Sequence, residues 1–310
     1  MKILSDWQNA PPLTEPRVVM TMGTFDGLHL GHQFLVREVM RKAREKDAAS
    51  LLLTFEPHPL AVLSPSSAPL ALTTFEQKSR VLSGLGIDVL GCARFTEELS
   101  AIPARAFIDE VILPKANITD IFIGPDFRFG RNAEGHAGLL KEWAGSRGVR
   151  CEEVPVQTAL SGETLSSSRV RGLIKVGLVE SAAKLLGRNY VIEGKVVTGA
   201  RRGGKMGFPT ANLGEIKQLI PGPGVYAANA LLRGKSRPAM TSIGNNPTFK
   251  NQYLSVETYV LDFKDDFYGE DMGLEFAARI RDMIRFDSPE ALVERLKKDE
   301  SEARGVLIGA

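Results

Sequence analysis

The sequence predicts an α/β region built on a doubly wound parallel sheet, followed by an antiparallel β region that ends in a helix. Three observations carry this. Apolar runs of strand length alternate with segments of helical periodicity from Val18 to about Leu186. A glycine-rich turn joins the first apolar run to the first helix. From Tyr190 onward the pattern changes to short strands separated by Gly, Pro and Asn.

The first run, Val18-Val19-Met20-Thr21-Met22, has the length of one buried strand. Apolar positions at helical spacing follow in Phe34-Leu35-Val36-Arg37-Glu38-Val39-Met40. Between them lies Gly23-Thr24-Phe25-Asp26-Gly27-Leu28-His29-Leu30-Gly31-His32, placed where open α/β sheets bind phosphate. His29 and His32, three apart at a helix start, fall on one face beside free backbone N–H groups. Gly31 removes a side chain where a ligand needs close approach. The N–H groups and helix dipole favour anions, and the imidazoles can donate to phosphate oxygens. Such a corner suits a triphosphate; a tight turn with two surface histidines is the alternative. It is not a zinc signature, since further Cys or His ligands are missing nearby.

Ser50-Leu51-Leu52-Leu53-Thr54-Phe55 reads as a second buried strand running into Glu56-Pro57-His58-Pro59, which continues neither strand nor helix. A helical pattern over Phe75–Leu85 precedes an apolar run over Ile87–Ala93. Another helix is expected over Ala104–Leu113, a strand over Ile118–Ile123, a helix near Leu139–Ser146 and a strand over Val149–Val156. The loop Gly124-Pro125-Asp126-Phe127-Arg128-Phe129-Gly130 follows a strand end, and Asp126 can cap a turn there. In Leu165-Ser166-Ser167-Ser168-Arg169-Val170-Arg171 a serine can cap a helix. Capping does not explain two arginines beside three hydroxyls, which together make a second anion site.

Leu186-Gly187 closes the helical pattern, and the domain boundary is placed there, giving 1–186 and 187–310. Tyr190–Val197, Gly224–Leu232, Pro238–Ile243, Tyr253–Phe263 and Met272–Ile280 read as strands of an antiparallel barrel or sandwich. A last amphipathic helix over Pro289–Arg304 starts after Ser288. Gly199-Ala200-Arg201-Arg202-Gly203-Gly204-Lys205 fits the start of a Walker-type phosphate loop, but Met206 stands where Ser or Thr should reach the metal. Pro209 then blocks the required helix. The stretch remains a basic loop able to fold over phosphates. In Gly207-Phe208-Pro209-Thr210-Ala211-Asn212-Leu213, extended chain puts Thr210 and Asn212 on one face. Their hard oxygens can hold Mg²⁺ beside phosphate, or satisfy backbone in an edge segment. Period two places Glu257 with Tyr253, Ser255, Tyr259 and Leu261, which by pattern alone makes it a solvated strand carboxylate.

At 310 residues the chain suits two domains, and 43% hydrophobic with 25% charged residues is ordinary for a globular protein. A net charge of +2 argues for neither a nucleic-acid coat nor a polybasic membrane surface, and neither a nucleic-acid nor a membrane partner is expected. Cys92 and Cys151 read as buried free thiols of a reducing compartment. With neither a signal-peptide pattern nor a transmembrane-length run, a cytoplasmic location is expected.

The pattern Gly-Thr-Phe-Asp-Gly-x-His-x-Gly-His over residues 23–32 resembles the nucleotide-binding motif of the adenylyltransferase superfamily. In particular it resembles the N-terminal part of bacterial bifunctional riboflavin kinase/FAD synthetases. Thr54–Pro59, Gly124–Gly130 and the serine–arginine segment are similar to further segments of that family, with Ser168 replacing a usual Thr. Gly207–Leu213, Pro221–Ala227, Ile243–Phe249 and Val256–Tyr259 resemble its kinase module. The resemblance implies a Rossmann-like nucleotidyltransferase domain followed by a β-barrel riboflavin kinase domain with a terminal helix. It implies ATP binding for adenylyl transfer by Gly23, Thr24, Phe25, Asp26, Gly31, His58, Ser167, Ser168 and Arg169, with His29 and His32 catalytic. Asp126 would hydrogen-bond the flavin or help organise Mg²⁺. For the kinase, Gly199, Arg202, Lys205, Gly207, Pro209, Thr210 and Asn212 would bind ATP, Thr210 and Asn212 also holding Mg²⁺. Glu257 would be the general base on the 5′-hydroxyl of riboflavin. Tyr259 stands where many relatives carry His. The implied reactions are riboflavin plus ATP to FMN, then FMN plus ATP to FAD and pyrophosphate. A chain with one decayed module, or a flavin or nucleotide sensor without turnover, is the alternative.

Overall fold

In the computed structural model of the chain, residues 1–155, 164–197, 208–245, 254–263, 265 and 267–309 are described. They form two compact units, Met1–Ser166 and Ser167–Ala310.

The first unit is a six-stranded parallel sheet of β1 (Lys2–Leu4), β2 (Val18–Met22), β3 (Ala49–Glu56), β4 (Val89–Arg94), β5 (Ile118–Ile123) and β6 (Arg150–Glu153), in the order β1-β4-β3-β2-β5-β6. Its helices are α1 (Leu30–Glu45), α2 (Pro59–Leu63), α3 (Phe75–Leu85), α4 (Glu97–Ser100), α5 (Ala104–Ala106) and α6 (Ala137–Gly145). Side chains alternate across the sheet because the strand period is two. Val18, Met20 and Met22 enter one core with Leu51, Leu53, Ile121 and Trp7, while Val19 enters the other with Leu52, Leu90, Val36 and Val39. A sheet buried on both faces explains the nearly continuous apolar runs.

The structure departs from the expected elements at several points. Lys2–Leu4 adds an edge strand beside β4, too short to show a period. The prolines after β3 do end that strand, yet His58 caps α2 and Pro59 sits in its first turn, where a missing N–H has no partner to lose. The helix expected over Ala104–Leu113 breaks up: one α turn, wide turns over Phe107–Ile112, then a tight turn Leu113–Lys115. Pro114, which offers no N–H, lies in that last turn. Of the strand expected over Val149–Val156, Arg150–Glu153 is extended as β6, and Val156 lies outside the described residues.

Strand order reverses between β2 and β5. Crevices at such switch points, outside the carboxyl ends of strands, are where open α/β sheets bind ligands.

The second unit begins with α7 (Ser167–Lys175) and α8 (Val179–Leu186). The periodicity changes at residue 186, but these two helices pack with the strands that follow. Ile174 O accepts from Gly222 N at 2.9 Å, and Glu180 accepts from Arg279 N at 3.0 Å. The strands are β7 (Tyr190–Val197), β8 (Ala211–Gly214), β9 (Gly224–Leu232), β10 (Lys235–Asn245), β11 (Leu254–Val260) and β12 (Asp271–Arg281). They close an antiparallel barrel in the order β10-β11-β8-β7-β12-β9, which resolves the choice between barrel and sandwich. Ile192, Leu213, Tyr226, Thr241, Val256, Thr258 and Phe276 are buried in it. The final helix, α9 (Pro289–Leu307), capped by Ser288 as expected, packs against Phe208, Val225, Ala227, Met240 and Tyr259. Leu261 departs from the expected alternation: its side chain is buried, while its N–H donates to Pro238 O in continuation of the β10–β11 register.

Candidate functional site

Three of the motifs sit at the carboxyl ends of adjacent strands. Gly23-Thr24-Phe25 follows β2, Pro57-His58 follows β3, and Gly124-Pro125-Asp126 follows β5. β2 and β5 flank the switch point, and β3 lies beside β2. The first turn of α1 opens at the same edge, its His32 N–H capped by His29.

His29 is the N-cap of α1, its Nδ1 accepting from His32 N at 3.3 Å. With Nδ1 an acceptor, a neutral His29 carries its proton on Nε2, where it can donate. The two imidazoles stack with centroids 3.7 Å apart, as spacing three on one helix face requires. Phe25 meets the His32 ring edge-on at 5.1 Å. A Cβ on Gly31 would lie 3.2 Å from the His29 ring and 3.3 Å from Leu165 Cβ. The glycine therefore makes room for the imidazole as well as for a ligand. His32 Nδ1 is buried with no hydrogen-bond partner among the described residues. Burial, with His29 and Lys78 nearby, holds the His32 imidazole well below the ordinary histidine range. An unpaired buried nitrogen at a helix N-terminus is the feature a phosphate oxygen would satisfy.

Asp26 takes a different place from its neighbours. Its buried carboxylate accepts from Leu72 N at 3.0 Å, Thr73 N at 3.1 Å and Thr73 Oγ1 at 3.3 Å, tying the segment before α3 to the turn. His58 is half-buried and uses Nδ1 to cap α2 through Leu60 N at 3.2 Å. Asp126 is exposed at the end of β5. Ser167 opens α7 half-buried, and Ser168 and Arg169 beside it are exposed.

Sequence reasoning passed over Lys78. It lies on α3, 2% exposed, its Nζ donating to Thr24 O at 2.9 Å, Thr54 Oγ1 at 2.9 Å and Glu56 Oε1 at 3.2 Å. A lysine in an amphipathic helix reads as solvated. Only the fold shows it turned under the motif.

On the barrel, register brings the other candidates together. Glu257 lies directly opposite Asn212 of β8 on one side and Ser242 of β10 on the other. Opposed residues share a face of a sheet. All three are half-buried, while the next row, Ala211, Thr258 and Thr241, is buried, with Thr241 and Thr258 hydroxyls 3.1 Å apart. Thr210, half-buried, shares the face of Asn212 because Ala211 between them is buried. A carboxylate, an amide, and a hydroxyl on either side thus share the outer face. Ser242 carried no sequence signal beyond its strand. Tyr259, on the same face as Glu257, packs edge-on against Phe208 at 5.3 Å beneath α9. Burial, helped by Glu300 and Asp262, keeps its phenol above the ordinary tyrosine range, so it cannot act as the proton acceptor a histidine could be. Pro209 is exposed beside Phe208. Gly199, Arg202, Lys205 and Gly207 lie outside the described residues. Among the described residues no helix is long and apolar enough to cross a membrane.

Comparison with known proteins gives two family models in chain order: FAD synthetase over residues 12–169 and riboflavin kinase over residues 186–307. The chain is 37% identical to the bifunctional riboflavin kinase/FMN adenylyltransferase of Listeria monocytogenes, over 94% of this chain and 93% of that one. It is 32% identical to the Escherichia coli K12 protein of the same name, over 98% and 97%. Its fold matches the crystal structure of a macrolide-efflux protein from Streptococcus pneumoniae with a TM-score of 0.87 and 31% identity, over 97% and 98% of the two chains. That protein's name speaks of efflux, whereas both family models and the two curated relatives speak of flavin chemistry. The chain belongs to the bifunctional riboflavin kinase/FMN adenylyltransferase family.

Proposed function

We propose that this chain phosphorylates riboflavin to FMN and adenylylates FMN to FAD, using a separate set of residues for each reaction. Full-length likeness to bifunctional relatives, with a family model on each half, carries this reading. The division of labour runs 1–186 for adenylyl transfer and 187–310 for the kinase.

In the kinase reaction Glu257 accepts the proton of the riboflavin 5′-hydroxyl, whose oxygen then attacks the γ-phosphorus of ATP and releases ADP. Asn212, opposed to Glu257 in the barrel register, supports this assignment by setting an oxygen ligand beside the base. ATP-dependent enzymes of this family use a divalent metal, and we assign it as Mg²⁺. Thr210 and Asn212 offer hard oxygens of the kind such an ion takes, few in number, as expected when phosphates and water complete the shell. When bound, the ion neutralises phosphate charge. Gly199, Arg202, Lys205, Gly207 and Pro209 are assigned to the same nucleotide.

In the second reaction an FMN phosphate oxygen attacks the α-phosphorus of ATP and pyrophosphate leaves. His29 donates from Nε2, and His32, held neutral, donates from one ring nitrogen. The α1 N–H groups and the Gly23, Thr24, Phe25 and Gly31 backbone line the phosphate corner. Asp26 shapes that corner through Leu72 and Thr73. His58, Ser167, Ser168 and Arg169 are assigned to ATP and Asp126 to the flavin.

The test is a time course with riboflavin, excess ATP and Mg²⁺, resolving riboflavin, FMN and FAD by chromatography. FMN should rise first and FAD after it, and chelation of the metal should stop both. Accumulation that ends at FMN, or flavin binding by folded protein without turnover, contradicts the proposal.

A further inference from the structure

Lys78 is a buried charge that neither reaction above uses. Lysine is seldom buried without a reason. All three of its donors are engaged within the unit, at Thr24 O, Thr54 Oγ1 and Glu56 Oε1. Thr54 Oγ1 also donates to Thr24 O, at 3.0 Å. One carbonyl thus receives two hydrogen bonds, and it belongs to the peptide that enters Phe25. Phe25 is held at φ 47°, in the left-handed region that non-glycine residues rarely adopt. Such backbone persists only where its surroundings over-determine it, and it concentrates at functional sites. The ion pair with Glu56 does not account for burying the lysine: the Glu56 side chain is 38% exposed, and a pair open to water adds little stability.

We propose that Lys78 is a positioning residue for adenylyl transfer: by clamping the Thr24 carbonyl together with Thr54, it fixes the Gly23–Phe25 turn in the shape that receives the nucleotide phosphates. This rests on the assignment of adenylyl transfer to that corner. The ammonium does not touch the nucleotide, since its donors are spent. Its charge pairs with Glu56 at the end of β3 and also acts on Cys92 of β4 and on His32 of α1, where it adds to the lowering of proton affinity by burial and His29.

The test uses the full chain carrying Lys78→Met, Thr54→Val or both, with His29→Ala beside them. Lys78→Met should lower kcat for FMN adenylylation about tenfold to a hundredfold, the effect of a slightly misplaced site. Riboflavin phosphorylation by the same preparation should be unchanged. Thr54→Val should lower kcat in the same direction by less. The double variant should lose less than the product of the two, because both act on one carbonyl. By NMR the His32 titration midpoint should rise in Lys78→Met and stay put in Thr54→Val. Folded Lys78→Met and Thr54→Val proteins with wild-type kcat overturn the proposal. Should Lys78→Met not fold, Thr54→Val decides alone. Loss of FAD formation in His29→Ala with full retention in both others rejects only the role of Lys78. Retention in His29→Ala rejects the corner itself.

Discussion

The His32 imidazole shows how one buried nitrogen links the phosphate corner to stability. Burial, with His29 and Lys78 adding, depresses its proton affinity in the folded state. Below its unfolded value of about 6.5 the unfolded chain binds a proton that the folded chain refuses. Stability therefore rises with pH across that window and falls as pH drops below about 6.5, until the folded value is reached. Thermal unfolding of the wild type and of His32→Gln at about pH 8 and about pH 5.5 reads this out. The wild type should lose more melting temperature on acidification than the variant. Equal losses would contradict the depressed affinity. At this scale the sequence made the corner legible through residue types whose chemistry is local: two imidazoles at helical spacing, and glycines at a strand-to-helix turn. It did not make Lys78 or the internal role of Asp26 legible. Their partners, Thr24 and Thr54 for one and Leu72 and Thr73 for the other, are distant in the chain.

Among the elements, α9 illustrates a different balance. Its Asp299 is fully buried and accepts from Arg281 of β12 at 2.7–3.0 Å and from Arg295 at 2.7 Å. This ties the helix over the barrel face that carries Tyr259 and Met240. Asp299→Ala would leave Arg281 half of a buried pair, and it should destabilise the second unit by about 3 kcal/mol. Chemical denaturation followed by circular dichroism measures this, and an unshifted midpoint would contradict the ion pair's role. The helix itself was legible from Ser288 and its amphipathic period, because capping and periodicity are local signals. The row of Asn212, Glu257 and Ser242 was not, since register between strands is set by barrel closure. Period two gave the face of Glu257 but could not say what stands opposite. β8 shows the same limit. Its four residues have too few alternations to mark a strand, and pairing with β7 and β11 makes it one.

For the whole molecule, the two family models follow each other along one chain, and each compact unit holds its own sheet or barrel. Separate residue sets for the two reactions make a demand that neither half alone would make. The most direct measurement mixes two full-length variants, His29→Ala and Glu257→Gln, each folded, with riboflavin, ATP and Mg²⁺. Alone, His29→Ala should stop at FMN, and Glu257→Gln should convert supplied FMN to FAD while leaving riboflavin untouched. Mixed, they should carry riboflavin through to FAD, with FMN passing between molecules in solution. If either substitution abolishes both reactions, or if the mixture makes no FAD, the assignment of two reactions to two residue sets is wrong.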